Sequence, residues 1–436
     1  IWDLESQHDP VREIKRRSGP PLGYAVFRPG ANQVLTGPSR DEYYRFDGKS
    51  VSLWDVDSGT HLADLLDEGS LATSPVHKEL LGDLRDLDMS PDGERLATVH
   101  KDANPRSSRD EEPRPSPLYT PVRVWDLRTG KQLFALQGLR RSVATARFSP
   151  DGGRLLTFSD GSSDYAILLD GKKVGGGGGG QLWARVDLWD AHTGQHLRSF
   201  VPESKGGGDF AIWSRDGKRV LTDALAHMDK VDAKLFDPDT GERVGRLKSD
   251  SAGMDRAAFS PDGKLVLGYR VHYLRNQLVV EVWDAATGAK RFSLRGHTGN
   301  ITSAVFSPDS SLVLTTSLDG TARLWDVADG QTRRVLTGHR HVVRTGRFSP
   351  DGKWIVTASN DGTARIWSTE TGQEWMTLPA AQGEMVSAEF SSDSQRVLTV
   401  STDGLVRIWP VDPLPVAATR KPRELTADER ARFQIE

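Results

Sequence analysis

A segment that recurs at a fixed interval constrains this chain more than any other feature. Residues 319–326 read Asp-Gly-Thr-Ala-Arg-Leu-Trp-Asp, and close copies lie at 361–367 and 403–409, 42 residues apart. Each copy reads as a turn followed by an alternating strand that ends in an aromatic residue. A period of this length predicts tandem structural units that bury their apolar faces against one another.

Aromatic strand ends recur along the whole chain, and each one after Trp2 is paired with an upstream apolar strand and a turn such as Ser260-Pro261-Asp262-Gly263. In that turn proline fixes φ, and glycine suits the fourth position of a type I turn. Each period therefore predicts four short strands, which we label a, b, c and d. Because one such sheet cannot bury two apolar faces alone, neighbouring sheets must stack, and closure into a ring hides the terminal sheets. The aromatic ends are Trp2, Trp54, Trp125, Trp189, Phe236, Trp283, Trp325, Trp367 and Trp409.

Two Gly-His dipeptides, Gly296-His297 and Gly338-His339, precede Trp-Asp and Trp strand ends in the most regular repeats. Together with the repeats across 1–411, they make the chain resemble the WD40-repeat β-propeller family, in its bacterial type. In that family a buried tetrad of His, Ser or Thr, Asp and Trp ties each blade together. Ala381 stands where the last repeat should have its His, and Phe236 replaces a Trp, so those blades should lack a full tetrad. The resemblance implies tetrads at His297, Thr315, Asp319 and Trp325, and at His339, Thr357, Asp361 and Trp367.

Counting the strand signals predicts an all-β, eight-bladed WD40 β-propeller of four-stranded antiparallel blades over residues 1–411. The N-terminal strand 11–14 would complete the sheet made by the last a, b and c strands and so close the ring. A seven-bladed ring with one extra repeat is the alternative, because seven blades are commoner in this family. The remaining residues, 412–436, form a C-terminal tail, in which the capping-box spacing of Thr426 and Glu429 predicts a short helix.

Composition narrows the classes of partner. The chain has 57 basic and 60 acidic residues and a net charge of −3, which argues against a nucleic-acid binder that uses its whole surface but leaves local basic patches open. No apolar run is long enough to span a membrane, and the absence of cysteine excludes disulfides, a thiol nucleophile and a Cys-ligated zinc. The chain opens on Ile1, and Trp2-Asp3 matches the end of a repeat, so we expect an N-terminal part to precede it. We expect a cytoplasmic, monomeric ring.

Insertions between strands b and c distinguish the first five repeats from the last three. A further long connection, 66–85, joins strand d of the first repeat to strand a of the second. In an up-and-down sheet the b–c and d–a connections leave from one face, and the short a–b and c–d turns leave from the other. One elaborated face is typical of a binding surface. The b–c insertions are 37–50, 101–121, 159–184, 223–231 and 269–276.

Aromatic and basic residues in or beside these connections are the candidate binding residues. The basic ones, together with Arg344, would form a spot for an acidic or phosphorylated segment of a partner. Scattered solvated charge is the competing interpretation of the same residues. The candidates are Tyr43, Tyr44, Phe46, Arg140, Arg141, Tyr269, Tyr273, Arg340 and His341.

Three motifs that imitate catalytic or cofactor sites are better explained by structure. The tetrad resembles a catalytic triad, but it recurs with the repeats and ends on a packing Trp. Gly175, Gly177 and Gly180 match a dinucleotide fingerprint, yet no helix signal follows them, which favours a flexible linker. Residues 368–375 resemble the tryptophan-docking motif of quinone-dependent dehydrogenases but occur once, as a c–d turn would. We therefore predict no catalytic residue, no metal and no cofactor.

The leading functional prediction is a non-catalytic scaffold or sensor module that binds a protein or peptide on the face with the b–c insertions. The tail resembles the closing segment of bacterial WD40 proteins, some of which carry an N-terminal Ser/Thr kinase domain and act in signalling. Two alternatives stay open. One is a propeller enzyme, a hydrolase or quinone-dependent oxidoreductase, with its site at the channel mouth. The other is an architectural ring in a larger tandem-propeller or kinase-linked protein.

Overall fold

The computed structural model contains strands as its only regular elements within the residues that it describes. The tail 413–436, with the expected helix, lies outside the described residues, as do most of the b–c insertions. The described residues are 12–15, 22–38, 51–65, 84–100, 122–139, 143–159, 167–169, 172–174, 185–200, 210–222, 232–249, 254, 256–270 and 278–412.

The first half of the chain supplies one closing strand and four blades. The strands are β1 (Arg12–Ile14); in blade one β2 (Leu22–Phe27), β3 (Gln33–Pro38), β4 (Val51–Asp55) and β5 (His61–Leu65); in blade two β6 (Leu84–Met89), β7 (Arg95–His100), β8 (Val122–Asp126) and β9 (Gln132–Ala135); in blade three β10 (Val143–Phe148), β11 (Arg154–Ser159), β14 (Arg185–Asp190) and β15 (His196–Phe200), with β12 (Ile167–Leu169) and β13 (Lys172–Val174) as a separate two-stranded hairpin; and in blade four β16 (Ala211–Trp213), β17 (Val220–Thr222), β18 (Asp232–Phe236) and β19 (Arg243–Lys248).

The second half supplies the remaining blades. The strands are β20 (Arg256–Phe259), β21 (Leu265–Tyr269), β22 (Val279–Asp284) and β23 (Lys290–Arg295) in blade five; β24 (Ile301–Phe306), β25 (Leu312–Ser317), β26 (Ala322–Asp326) and β27 (Thr332–Leu336) in blade six; β28 (Val343–Phe348), β29 (Trp354–Ser359), β30 (Thr363–Ser368) and β31 (Glu374–Pro379) in blade seven; and β32 (Met385–Phe390), β33 (Arg396–Ser401) and β34 (Val406–Pro410) in blade eight, which β1 completes. The prediction of eight four-stranded antiparallel blades is confirmed, and the seven-bladed alternative is wrong.

Pairing of the two ends of the chain closes the ring. Strand β1 runs antiparallel to β34, with Arg12 opposite Ile408 and Ile14 opposite Val406. Arg407 of β34 donates a hydrogen bond to Glu13 Oε1 at 2.8 Å. The N-terminal strand therefore serves as strand d of the last blade, within the range 11–14 that the sequence indicates.

The core lies between the blades rather than within them. Each of the clusters of buried apolar side chains among the described residues draws on two consecutive blades. At the closing junction, Ile14 and Val406 of blade eight pack with Leu22, Val34 and Trp54 of blade one. Because strands b and c have apolar residues on both faces, each sheet needs a neighbour on either side.

Hydrogen bonds between connections define the two faces of the ring. The residue after strand c bonds to the a–b turn of its own blade, as in Leu127 N–H to Glu94 O at 2.8 Å and Val327 N–H to Ser311 O at 2.9 Å. The a–b and c–d turns therefore share one face, which we call the lower face. The b–c and d–a connections leave from the opposite ends of these antiparallel strands and share the other, which we call the upper face.

Ring closure makes a stability prediction. We expect Ile14→Ala to lower the free energy of unfolding by about 2–4 kcal/mol, because it leaves a cavity in the core that joins the chain ends. Ile14 is fully buried. Val335→Ala is the matched control, since Val335 lies on an outer strand and is 42% exposed; we expect a change within about 0.5 kcal/mol. Denaturant unfolding of both variants measures the difference, and equal losses would contradict this account of closure.

Candidate functional site

Two complete tetrads hold the upper face together in blades six and seven. In blade six His297 Nδ1 lies 2.8 Å from Asp319 Oδ2, and His297 Nε2 lies 2.8 Å from Thr315 Oγ1. Trp325 Nε1 donates to the same Thr315 hydroxyl at 2.8 Å. A carboxylate only accepts hydrogen bonds, so the Nδ1 atom carries a proton toward Asp319. The histidine thereby links the d–a connection to the b–c turn.

Blade seven repeats this geometry. His339 lies 2.9 Å from Asp361 and 2.7 Å from the hydroxyl of Thr357, which also accepts from Trp367 Nε1 at 2.9 Å. The structure thus brings together all eight residues that the sequence assigns to tetrads. Each histidine side chain is almost completely buried.

Hydrogen bonding keeps the tetrad carboxylates ionised although burial opposes it. Burial alone would raise the pKa of Asp361, but hydrogen bonds from Thr363, the Arg340 backbone N–H and His339 lower it to about 2. The pKa of Asp319 is lowered in the same way, by His297, Thr321 and the Thr298 backbone N–H. Burial lowers the pKa of His339. A buried, structurally committed group of this kind supports the packing interpretation rather than nucleophile activation.

The other blades replace the tetrad by different means. In blade eight, which lacks the His, Asp403 pairs with Arg407 at 2.8 Å. In blade four the ring of Phe236, unlike an indole, has no N–H to donate, and Thr222 Oγ1 is buried without a partner among the described residues.

Blade two contains a substitution that the sequence interpretation missed. His100, at the end of strand b rather than in a d–a connection, lies 3.1 Å from Thr98 Oγ1, which accepts from Trp125 Nε1 at 2.9 Å. The sequence indicates this role only by the position of His100 two residues after Thr98, because side chains two apart in a strand lie on the same side.

Of the candidate binding residues, Tyr269, Arg340 and His341 are described. Arg340 and His341 are exposed neighbours in the d–a connection between blades six and seven. Their backbone is fixed, because Arg340 N–H donates to Asp361 Oδ2 at 3.0 Å and His341 O accepts from Ser359 Oγ at 3.2 Å. Tyr269 ends strand b of blade five and is partly buried against the core between blades five and six. The candidates outside the described residues are Tyr43, Tyr44, Phe46, Arg140, Arg141 and Tyr273.

Arg344 adds a charge to the same region but not a free one. It forms an ion pair with Glu384 of blade eight at 2.8 Å, and each side chain is 43% exposed. Arg344 also donates to Asn360 Oδ1. The basic group on the upper face of blade seven is therefore partly neutralised at Arg344, and Arg340 and His341 are exposed beside it.

Carboxylates on the a strands join neighbouring blades near the ring axis. The a strands of adjacent blades contact one another and so form the inner edge of the ring. Glu389 Oε1 accepts from the Phe27 N–H, and Asp88 Oδ2 accepts from the Phe148 N–H, each at 2.8 Å. Burial raises the pKa of Glu389 to about 7 and that of Asp88 to about 6. These acids fasten one blade to the next.

Two classes of feature are missing from the described part of the chain. No three acidic or histidine side chains there are grouped as metal ligands would be. Those residues also include no helix that is long and apolar enough to span a membrane.

Comparison with known proteins identifies the repeats. The WD40 family model (WD domain, G-beta repeat) matches residues 288–326, 330–368 and 372–410. The fold is similar to the computationally designed Ika8 protein, with a TM-score of 0.65 and 19% identity over 91% of this chain and 99% of that one. It is also similar to the C-terminal WD40 domain of Sif2, with a TM-score of 0.65 and 15% identity over 93% of this chain and 98% of that one. No curated protein matches the sequence. The chain is an eight-bladed propeller in which three repeats match the WD40 model.

The shared threonine of a tetrad makes a testable prediction. We expect Thr357→Val to lower the free energy of unfolding by about 1–3 kcal/mol, because it leaves His339 Nε2 and Trp367 Nε1 buried without a partner. Thr357→Ser keeps the hydroxyl and is the control, with a smaller loss. Denaturant unfolding distinguishes the two variants. Equal losses would contradict this account, because Thr357→Ser removes only the methyl group and keeps the hydrogen bonds.

The raised pKa of Glu389 predicts a pH dependence. The folded chain keeps a proton on Glu389 that the unfolded chain has already lost, so this contribution to stability is full below about pH 4.5 and is lost as pH rises to about 7. Glu389→Gln keeps an acceptor for the Phe27 N–H but does not ionise. We expect the variant to lose less stability than the parent between pH 4.5 and 7, measured as the melting temperature across that range. Parallel curves would refute the assignment.

Proposed function

We propose that this chain is a non-catalytic scaffold that binds a protein or peptide segment on its upper face. WD40 propellers are generally protein-interaction scaffolds. For this chain we also propose which face of the ring binds the partner and which blades take part. The observation that carries it is the placement of the long connections, because each joins strand ends on the upper side of the ring.

Strand pairing supports this placement. In blades one to five the breaks between strands b and c, from Pro38 to Val51 in blade one for instance, all follow the upper end of strand b. The long connection from Leu65 to Leu84 joins a d strand to an a strand and leaves from the same side. The a–b and c–d turns on the lower face remain short in all blades. A partner on the upper face therefore meets the variable part of the chain on a rigid ring.

The described upper surface of blades six and seven supplies a recognition chemistry. Arg340 and His341 project from a backbone that the blade-seven tetrad fixes, so binding does not have to order that backbone. The guanidinium charge of Arg340 and the hydrogen-bond donors of both side chains suit a carboxylate or phosphate on the partner. The insertion-bearing blades would then contribute the aromatic candidates of the first and fifth insertions.

A site-specific crosslinking experiment tests which face binds. A photo-crosslinking amino acid at His341 on the upper face should capture a partner protein in cells, whereas the same group at Lys264 should not capture that protein. Lys264 is the matched control, since it lies in an a–b turn on the lower face and its side chain is 80% exposed.

Loop trimming then tests the insertions with the captured partner in purified form. The b–c connections of blades one to five are replaced by the short turn 318–321 of blade six. We expect the trimmed ring to bind at least about tenfold more weakly, because interface anchors are lost. Unchanged affinity, or capture only from Lys264, would overturn the proposal.

A further inference from the structure

Arginines bridge consecutive blades on the lower face. We call the junction between two blades at this face a seam. In seam two/three, Arg95, the first residue of strand b, donates to Ala191 O at 2.7 Å and to Gly152 O at 2.9 Å. Both acceptors belong to blade three. Ala191 lies two positions after the aromatic end of strand c, and Gly152 is the glycine of the a–b turn.

The same arrangement recurs around half of the ring. In seam three/four, Arg154 donates to Gly217 O at 3.2 Å and to Asp239 Oδ1 at 2.6 Å. Arg396, also the first residue of a strand b, bridges seam eight/one through Asn32 Oδ1 at 2.8 Å. Arg28, which follows strand a instead, bridges seam one/two through Gly93 O at 2.6 Å. Seam seven/eight uses an indole instead, because Trp375 Nε1 donates to Val411 O at 3.0 Å. A donor from one blade to carbonyl oxygens of the next is thus the rule at these seams.

Seam six/seven has the acceptors without the donor. Leu312 is the first residue of strand b there, at the position of Arg95. A cavity of about 140 Å³ lies beside it, lined by Pro308, Asp309, Leu312, Asp351, Gly352 and Thr369. Gly352 corresponds to Gly152, and Thr369 corresponds to Ala191. Within the described part of the chain neither carbonyl accepts a hydrogen bond, and the buried Thr369 Oγ1 has no partner.

The chemistry of the cavity matches a guanidinium group. Asp309 occupies the position of Asp92, whose carboxylate lies 3.7 Å from Arg95 Nη2 in the filled seam. Asp309 and Asp351 are both ionised at neutral pH, since hydrogen bonds from their turns lower each pKa although burial opposes it. Pro308 and Leu312 provide an apolar wall for a methylene stem. A guanidinium offers five donors in one plane, which suits two carbonyl groups and a carboxylate better than an ammonium does.

We propose that this cavity, the seam six/seven arginine site, binds the guanidinium group of an arginine side chain presented by a partner protein. An exposed tryptophan at the neighbouring seam seven/eight favours a protein partner over a free metabolite. Trp375 is 52% exposed there and packs on Trp354, with ring centroids 5.4 Å apart, and exposed tryptophan next to an arginine site is typical of interface hot spots. This site lies on the lower face and does not depend on the upper-face function proposed above.

Titration with N-acetyl-arginine methylamide tests the site directly. We expect saturable binding to the full chain in NMR or calorimetric titrations, and binding at least about tenfold weaker for the neutral citrulline analogue, which lacks the charge. Leu312→Arg should fill the site from within, abolish probe binding and raise the melting temperature.

Leu265→Arg is the matched control, because Leu265 holds the same position in seam five/six, where Leu265 and Val327 both pack against the apolar core between blades five and six. We expect that variant to keep probe binding. Since Leu312 is buried and its replacement could disturb folding, Asp309→Asn provides a second test, with weakened binding and an intact fold. Equal binding of both probes, or binding that survives both Leu312→Arg and Asp309→Asn, would overturn the proposal.

The source of the arginine needs its own comparison, because arginines also occur in the tail at 420, 423, 430 and 432. We expect the probe to bind the full chain and a chain ending at Asp412 equally. Binding that appears only after removal of 413–436 would assign the site to the chain's own tail and overturn its assignment to a partner.

Discussion

Burial of both faces of every sheet is the constraint on which this structure depends. Strands b and c have apolar residues on both sides, so the core of each blade is completed only by the next one, as Ile14 and Val406 show where they pack against Leu22 and Trp54. An open array would leave two apolar faces in water. The three residues of β1 therefore matter far beyond their number, because their pairing with β34 joins the last two faces and makes the ring one cooperative unit.

The repeat pattern predicted the fold because the period, the turns and the alternation are local properties of the sequence. The segment at 319–326 and its copies specify turn, strand and packing tryptophan in one stretch, and counting them leads to eight blades. The bridging contacts are different. Arg95 reaches Gly152 and Ala191, which are remote in sequence, and nothing near Arg95 marks it as a bridge rather than a solvated charge. Such contacts depend on which side chain crosses a seam, and that is decided by the neighbouring blade.

The residues of the candidate site also differ in whether the sequence could predict their positions. Arg340 and His341 could be placed because the Gly-His dipeptide before them fixes the d–a connection through the tetrad, and a tetrad implies a definite backbone position. The pairing of Arg344 with Glu384 was not predictable, since it joins two blades at the upper face. The aromatic candidates in the insertions have no periodic neighbour to fix them, so the sequence defines their face but not their geometry.

Different contacts hold the blades together at the upper and at the lower face of the ring. Complete tetrads occur in blades six and seven, while the described arginine bridges occur from seam eight/one to seam three/four, where the first insertions leave the ring. Blades one to four, which have elaborated upper connections, are thus fastened from below. Between blades six and seven both neighbours have a tetrad above, so the seam between them can dispense with its arginine. An arginine site with its acceptors in place is then compatible with a stable ring, because stability at that seam comes from the opposite face.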